Sequence, residues 1–126
     1  MTPSPLILVA DDDEEWRRLL AFSLQEAGFR VELASDGKSV LPLAGQCRPD
    51  GFVLDHDMGD MTGAQVCAAI KSSGEHGGAP VVMLTAHVEV LPALIGGCPP
   101  DQFVVKTGSV DELIAVLKGL FPEAAP

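Results

Sequence analysis

Short unbroken apolar runs alternate along the chain with longer stretches in which apolar residues recur every three or four positions. The first run, Leu6-Ile7-Leu8-Val9-Ala10, has no polar member, as expected of a strand buried on both faces. Trp16, Leu19, Leu20, Ser23, Leu24 and Ala27 then mark one face of a helix that Gly28 closes. Four further strands are predicted at 29–33, 51–54 (ending at Asp55), 80–85 and 102–106. Ser35-Asp36-Gly37 can open a second helix, but Pro42 lacks an amide hydrogen and predicts a late start or a kink. Thr62-Gly63-Ala64-Gln65 is a capping-box pattern that opens a helix to about Ser72. Residues 87–95 can form a helix kept short by Pro92 and the Gly96-Gly97-Cys98-Pro99-Pro100 tract. Ser109-Val110-Asp111-Glu112 predicts a second capping box, with Leu113, Val116, Leu117 and Leu120 turned to the core.

Strand–helix alternation of this kind predicts an α/β domain with a parallel sheet, helices on both faces and right-handed crossovers. The 126 residues suit a single domain over 1–126, with a core from about 6 to 121. The final helix runs to the end of the chain, so no output domain is expected. Apolar residues make up 47% of the chain, enough for a core, yet no run approaches the ~20 residues of a membrane span. The start has neither a basic segment nor a long apolar one, so no secretory signal is read. Cys47, Cys67 and Cys98 have no paired or metal-like spacing, which predicts reduced thiols and a cytoplasmic location. Cys47 and Cys67 suit small buried positions.

Eighteen acidic against eight basic residues leave a formal charge of −10. Such a surface repels phosphate backbones and anionic lipids, so neither nucleic acid nor membrane is expected as a partner. A cation, a small anion held with a cation's help, or a protein remains.

The chemistry collects at the strand ends, where ligands of open parallel sheets bind. The first strand ends in Asp11-Asp12-Asp13, the third in Asp55-His56-Asp57, the fourth in Thr85 and the fifth in Lys106. Carboxylates gathered at one rim repel each other and call for a cation. Hard oxygen ligands at an open site suit Mg²⁺ with phosphate oxygens. A carboxylate can itself be the nucleophile that forms an acyl phosphate, with a lysine and a threonine binding the phosphoryl oxygens. Taken singly, each group has a plainer reading. Asp11 to Asp13 can be a helix start, Asp55 a loop acid, Lys106 a surface charge and Thr85 a strand end. Four such groups at four strand ends outweigh those readings together.

Leu-Val-Ala-Asp-Asp-Asp at 8–13, Leu-Asp-His-Asp-Met at 54–58, Gly63, Thr85-Ala86 and Val-Val-Lys at 104–106 resemble a response-regulator receiver domain of two-component signalling. The resemblance implies a flavodoxin-like three-layer sandwich with a five-stranded sheet of order 2-1-3-4-5. It also implies phosphotransfer from a histidine kinase or phosphotransfer protein onto Asp55, with output through a downstream protein target. Asp12 would hold Mg²⁺ directly, Asp11 mainly through water, and Asp57 through its backbone carbonyl. Thr85 and Lys106 would contact the phosphoryl group, and Thr85 and Phe103 would form the switch. Such a domain is not an enzyme beyond self-phosphotransfer and slow autodephosphorylation. The chain departs from the family with Gly59 and Thr107 where receivers usually carry proline. The Lys-Pro bond of receivers is typically cis; with Thr107 a trans bond is expected, since cis costs roughly 2.5–4 kcal/mol without proline. The partner face is expected on the Pro92 segment, the fifth strand and the final helix.

Two rival readings stand beside this one. A phosphohydrolase of the haloacid-dehalogenase type is suggested by Asp55-His56-Asp57 after a strand, and a pseudo-receiver by Gly59 and Thr107. Among the remaining residues, His56 and His76 read as loop positions and Trp16 as core edge. His87, two residues beyond Thr85, falls at a position that in receivers tends to modulate dephosphorylation, so the resemblance implies a candidate role for it there.

Overall fold

Successive residues of a strand point to opposite faces of a sheet, so a strand with no polar member needs cover on both sides. The structure, a computed structural model describing residues 4–86, 100–106 and 109–124, provides that cover. Five strands, β1 (Leu6–Ala10), β2 (Arg30–Ala34), β3 (Gly51–Asp55), β4 (Val81–Thr85) and β5 (Gln102–Val105), form one parallel sheet in the order β2-β1-β3-β4-β5. The helices described are α1 (Glu14–Glu26), α2 (Val40–Cys47), α3 (Gly63–Ser72) and α4 (Asp111–Leu120). The alternation splits the core in two. Ile7, Val9, Val53, Val82 and Leu84 meet Leu20 and Leu24 of α1 and Leu113 and Leu117 of α4. Leu8, Ala10, Phe52, Leu54 and Met83 meet Val40 and Ala44 of α2 and Val66 and Ile70 of α3.

Local chemistry sets the element ends. The Asp13 carboxylate caps α1, accepting the amides of Glu15 at 2.9 Å and Trp16 at 3.2 Å. Gly28, at φ 101°, turns the chain back toward the sheet as expected. β2 begins one residue later than predicted: the Phe29 amide still bonds Leu24 of α1, and its ring packs edge-on to Phe121 at 6.3 Å. α2 takes the late start predicted from Pro42, which occupies the first turn, where no intrahelical amide bond is lost. The Thr62–Gln65 capping box of α3 is present in full. The second predicted box is not the cap of α4. That helix starts after Val110, and the Ser109 hydroxyl instead accepts the Asp111 amide at 3.2 Å. Leu19, predicted on the core stripe of α1, is 40% exposed, because the inward stripe narrows to Leu20 and Leu24. The predicted helix at 87–95, with His87 and the Pro92 segment, and the bond between Lys106 and Thr107 lie outside the described residues.

Candidate functional site: an acidic rim with one lysine

β1, β3, β4 and β5 all point their carboxyl ends to one rim, because a parallel sheet admits no other arrangement. The three consecutive acids after β1 divide there. Asp13 turns outward and caps α1, which is the plainer reading of the run. Asp11 is fully buried: its Oδ1 accepts the Asp13 amide at 2.9 Å and its Oδ2 accepts Lys106 Nζ at 2.8 Å. Asp12 stays exposed. Oxygens of Asp11, Asp12 and Asp55 lie within 4.8 Å of one another, a grouping able to hold a metal ion.

Asp55 is 6% exposed and its Oδ1 is 3.5 Å from Lys106 Nζ, an ion pair rather than a good hydrogen bond. Burial, together with the negative charges of Asp11 and Asp12, pushes the Asp55 carboxyl up to about 6 against the opposing pull of Lys106. Thr85 is fully buried at the end of β4, and its carbonyl accepts the Lys106 amide at 2.6 Å. That bond continues the β4–β5 ladder by one residue and aims the lysine inward, although β5 itself ends at Val105 rather than at Lys106 as predicted. Thr85, Lys106, Asp55, Asp12, Asp13, His56, Asp57, Gly59 and Ala86 line a shared cavity of about 270 Å³. Asp57 is exposed beside it and pairs with Thr62 in an isolated antiparallel bridge. Phe103 is away from that cavity, half-buried against the α2–α3 side of the core and paired in register with Met83.

The two histidines read as loop positions do lie outside the helices and strands, but neither is fully open to solvent. His56 is half-buried rather than solvated, and its Nδ1 is buried with no hydrogen-bond partner among the described residues. His76 lies in a turn but is 7% exposed, set edge-on to Phe52 at 6.1 Å. Sequence reasoning also missed what braces the rim. Arg17 donates from Nη1 to the Asp11 carbonyl at 3.0 Å, and the Trp16 ring lies 4.9 Å beneath Lys106 Nζ. Asp60 accepts the amides of Gly37 and Lys38, and those bonds hold its carboxyl below the usual range. The only available signal was position: residues 14–17 form the first turn after β1, which places them beside the strand ends.

Gly59 has φ 83°, a conformation closed to proline, whose ring fixes φ near −65°. The loop beyond Asp55 therefore takes a path that the usual receiver proline could not follow.

The family model for the response regulator receiver domain matches residues 7–118. The chain belongs to that family. It is 36% identical over 121 residues to response regulator MprA of Mycolicibacterium vanbaalenii, a match covering 95% of this chain and 52% of the relative. The chain thus spans about half the length of the curated relatives it matches. Response regulator TrrA from Thermotoga maritima, solved in complex with Mg²⁺ and BeF, is 31% identical with a TM-score of 0.84 over 93% of this chain and 99% of that one. The chemotaxis response regulator CheY4 of Vibrio cholerae is 26% identical with a TM-score of 0.82, covering 94% and 99%. These likenesses bear out the flavodoxin-like sandwich and its strand order. Receiver domains are signalling modules rather than turnover enzymes, and as a family they work with histidine kinases and downstream targets. Among the described residues no helix is long and apolar enough to cross a membrane.

Proposed function

We propose that this receiver domain accepts a phosphoryl group on Asp55, from a histidine kinase or a phosphotransfer protein, with Mg²⁺ held by Asp11, Asp12, Asp55 and the Asp57 carbonyl. The observation that carries the reading is the Lys106 ammonium, shared between Asp11 at 2.8 Å and Asp55 at 3.5 Å beside three converging carboxylates. One ammonium does not balance three acids, and hard oxygen donors at an open rim suit Mg²⁺. Bound there, the ion would neutralise charge on the acids and on the incoming phosphoryl oxygens.

The chain's own residues supply the rest. At neutral pH the Asp55 carboxyl is mostly ionised, and its burial leaves it poorly solvated and reactive. An Asp55 oxygen forms a bond to phosphorus as the bond from phosphorus to the donor's nitrogen breaks. The departing imidazole keeps that electron pair and takes a proton from solvent. Lys106 and Thr85 meet the phosphoryl oxygens, and Thr85 with Phe103 carries the change to a protein target. The net charge of −10 fits a protein partner rather than a nucleic acid or a membrane. A cytoplasmic location goes with this reading.

Incubation with acetyl phosphate and Mg²⁺, borohydride trapping and mass spectrometry test it. One adduct is expected, on Asp55, lost in Asp55→Ala and without added Mg²⁺. Undiminished labelling of Asp55→Ala overturns the assignment. An unlabelled wild-type chain favours a pseudo-receiver, and steady turnover of many phosphoesters favours a hydrolase.

A further inference from the structure

We propose that Trp16 is a positioning residue for Lys106, its indole face holding the ammonium against the acid cluster without neutralising it. The inference rests on the reading of Lys106 as the group that meets the phosphoryl oxygens. A lysine is a point charge on a flexible four-carbon stem, and nothing in its own chemistry fixes where the charge sits. Here the side chain is only 11% exposed, and its head is approached from three sides. Asp11 Oδ2 lies at 2.8 Å, Asp55 Oδ1 at 3.5 Å and the Trp16 ring centroid at 4.9 Å. That last separation falls within the ~6 Å at which a cation is drawn to the negative face of an aromatic ring.

The chemistry of the third neighbour matters. A carboxylate in that place would add a fourth negative charge beside Asp11, Asp12 and Asp55 and would compete with the phosphoryl group for the lysine. An aliphatic side chain would leave that side of the ammonium without an electrostatic partner. The indole attracts the charge, accepts no proton and makes no directional bond. The ammonium can therefore shift from Asp11 toward a new anion while remaining over the ring. Trp16 is itself fixed. Its amide is bonded by the Asp13 cap, its neighbour Arg17 ties the same turn to the Asp11 carbonyl, and its ring packs on the α1–α4 side of the core. Trp16 is the chain's single tryptophan, and among the described residues the only ring stacked on Lys106 is this one.

Two measurements test the proposal. In a ¹³C-lysine-labelled sample, the Lys106 ε-methylene protons, assigned by their loss in Lys106→Met, should be shifted upfield by the indole ring current. Trp16→Phe should keep part of that shift and Trp16→Leu should abolish it. With acetyl phosphate and Mg²⁺, Trp16→Leu should slow Asp55 labelling about three- to tenfold, the range a cation–π contact supports, and Trp16→Phe should restore most of the rate. In a Lys106→Met background the Trp16→Leu substitution should change the rate no further. A normal ε-methylene shift in the wild type overturns the proposal. So does an equal slowing of Trp16→Leu with and without Lys106, which marks a merely structural role. A wild-type chain that is never labelled defeats the phosphoacceptor reading, while the ring-current shift still decides the Trp16 contact.

Discussion

Asp11, Asp12 and Asp13 are consecutive acids with three different fates, and burial separates them. Asp13 spends its carboxylate on two helix amides, Asp11 is fully enclosed and paired with Lys106, and Asp12 faces solvent beside both. Asp55 is the group that repulsion and burial penalise. A carboxyl moved from 3.8 to about 6 corresponds to roughly 3 kcal/mol. Its folded pKa is raised, so the folded state holds the proton more tightly than the unfolded chain. The associated stability is fully present below pH ~4 and lost as pH rises through about 6. In EDTA, Asp55→Asn should therefore be more stable than the wild type at pH 7.5, by about 1–3 kcal/mol, and the gap should close toward pH 4. Urea titrations at four pH values check this; a gap independent of pH defeats the account.

Elements were legible wherever one face or both had to be dry. β1 is apolar throughout, and β3 and β4 are apolar up to their last residues, Asp55 and Thr85, because helices cover both sides; their boundaries fall within a residue of the pattern. β2 lies at the sheet edge, where Phe29 extends the apolar run although its backbone still serves α1, so the strand's predicted ends were off by one. Contacts made across the fold left no trace in local pattern: Trp16 under Lys106, the half-burial of His56 and the inward turn of His76. The strand order came from the resemblance, since alternation alone permits several orders. Close packing of element on element also explains why glycines differ. A Cβ on Gly63, the first residue of α3, would lie 2.7 Å from the Asp55 carbonyl oxygen and collide with Met83 Sδ, whereas one on Gly45 of α2 meets nothing within 4 Å. Gly63→Ala should cost about 1–3 kcal/mol and disturb the loop carrying Asp55. Gly45→Ala should add about 0.5–1 kcal/mol, since it only restricts the unfolded chain and favours the helix. Chemical denaturation of the two variants side by side reads the contrast, and equal effects would show that α3 does not sit as tightly on β3 as described.

For the whole molecule, charge is the coupling between fold and site. Eighteen acids against eight bases repel one another everywhere, but general repulsion and the local cluster of Asp11, Asp12 and Asp55 respond differently to ions. Sodium chloride screens the surface and reaches the two buried acids of the cluster, Asp11 and Asp55, weakly, because screening acts through solvent. A divalent ion that binds the cluster stabilises the folded state by mass action, about 2.7 kcal/mol at a hundredfold excess over Kd. Mg²⁺ should thus raise the melting temperature more than sodium chloride does at equal ionic strength. Asp12→Asn should remove most of that difference while leaving the sodium chloride response in place, and it should raise stability in EDTA by relieving repulsion on Asp55. The two responses separate a bound ion from a screened surface. If Asp12→Asn melts with an unchanged Mg²⁺ increment, the exposed acid is not a ligand, and the cluster's charge must be met by Lys106 and solvent alone.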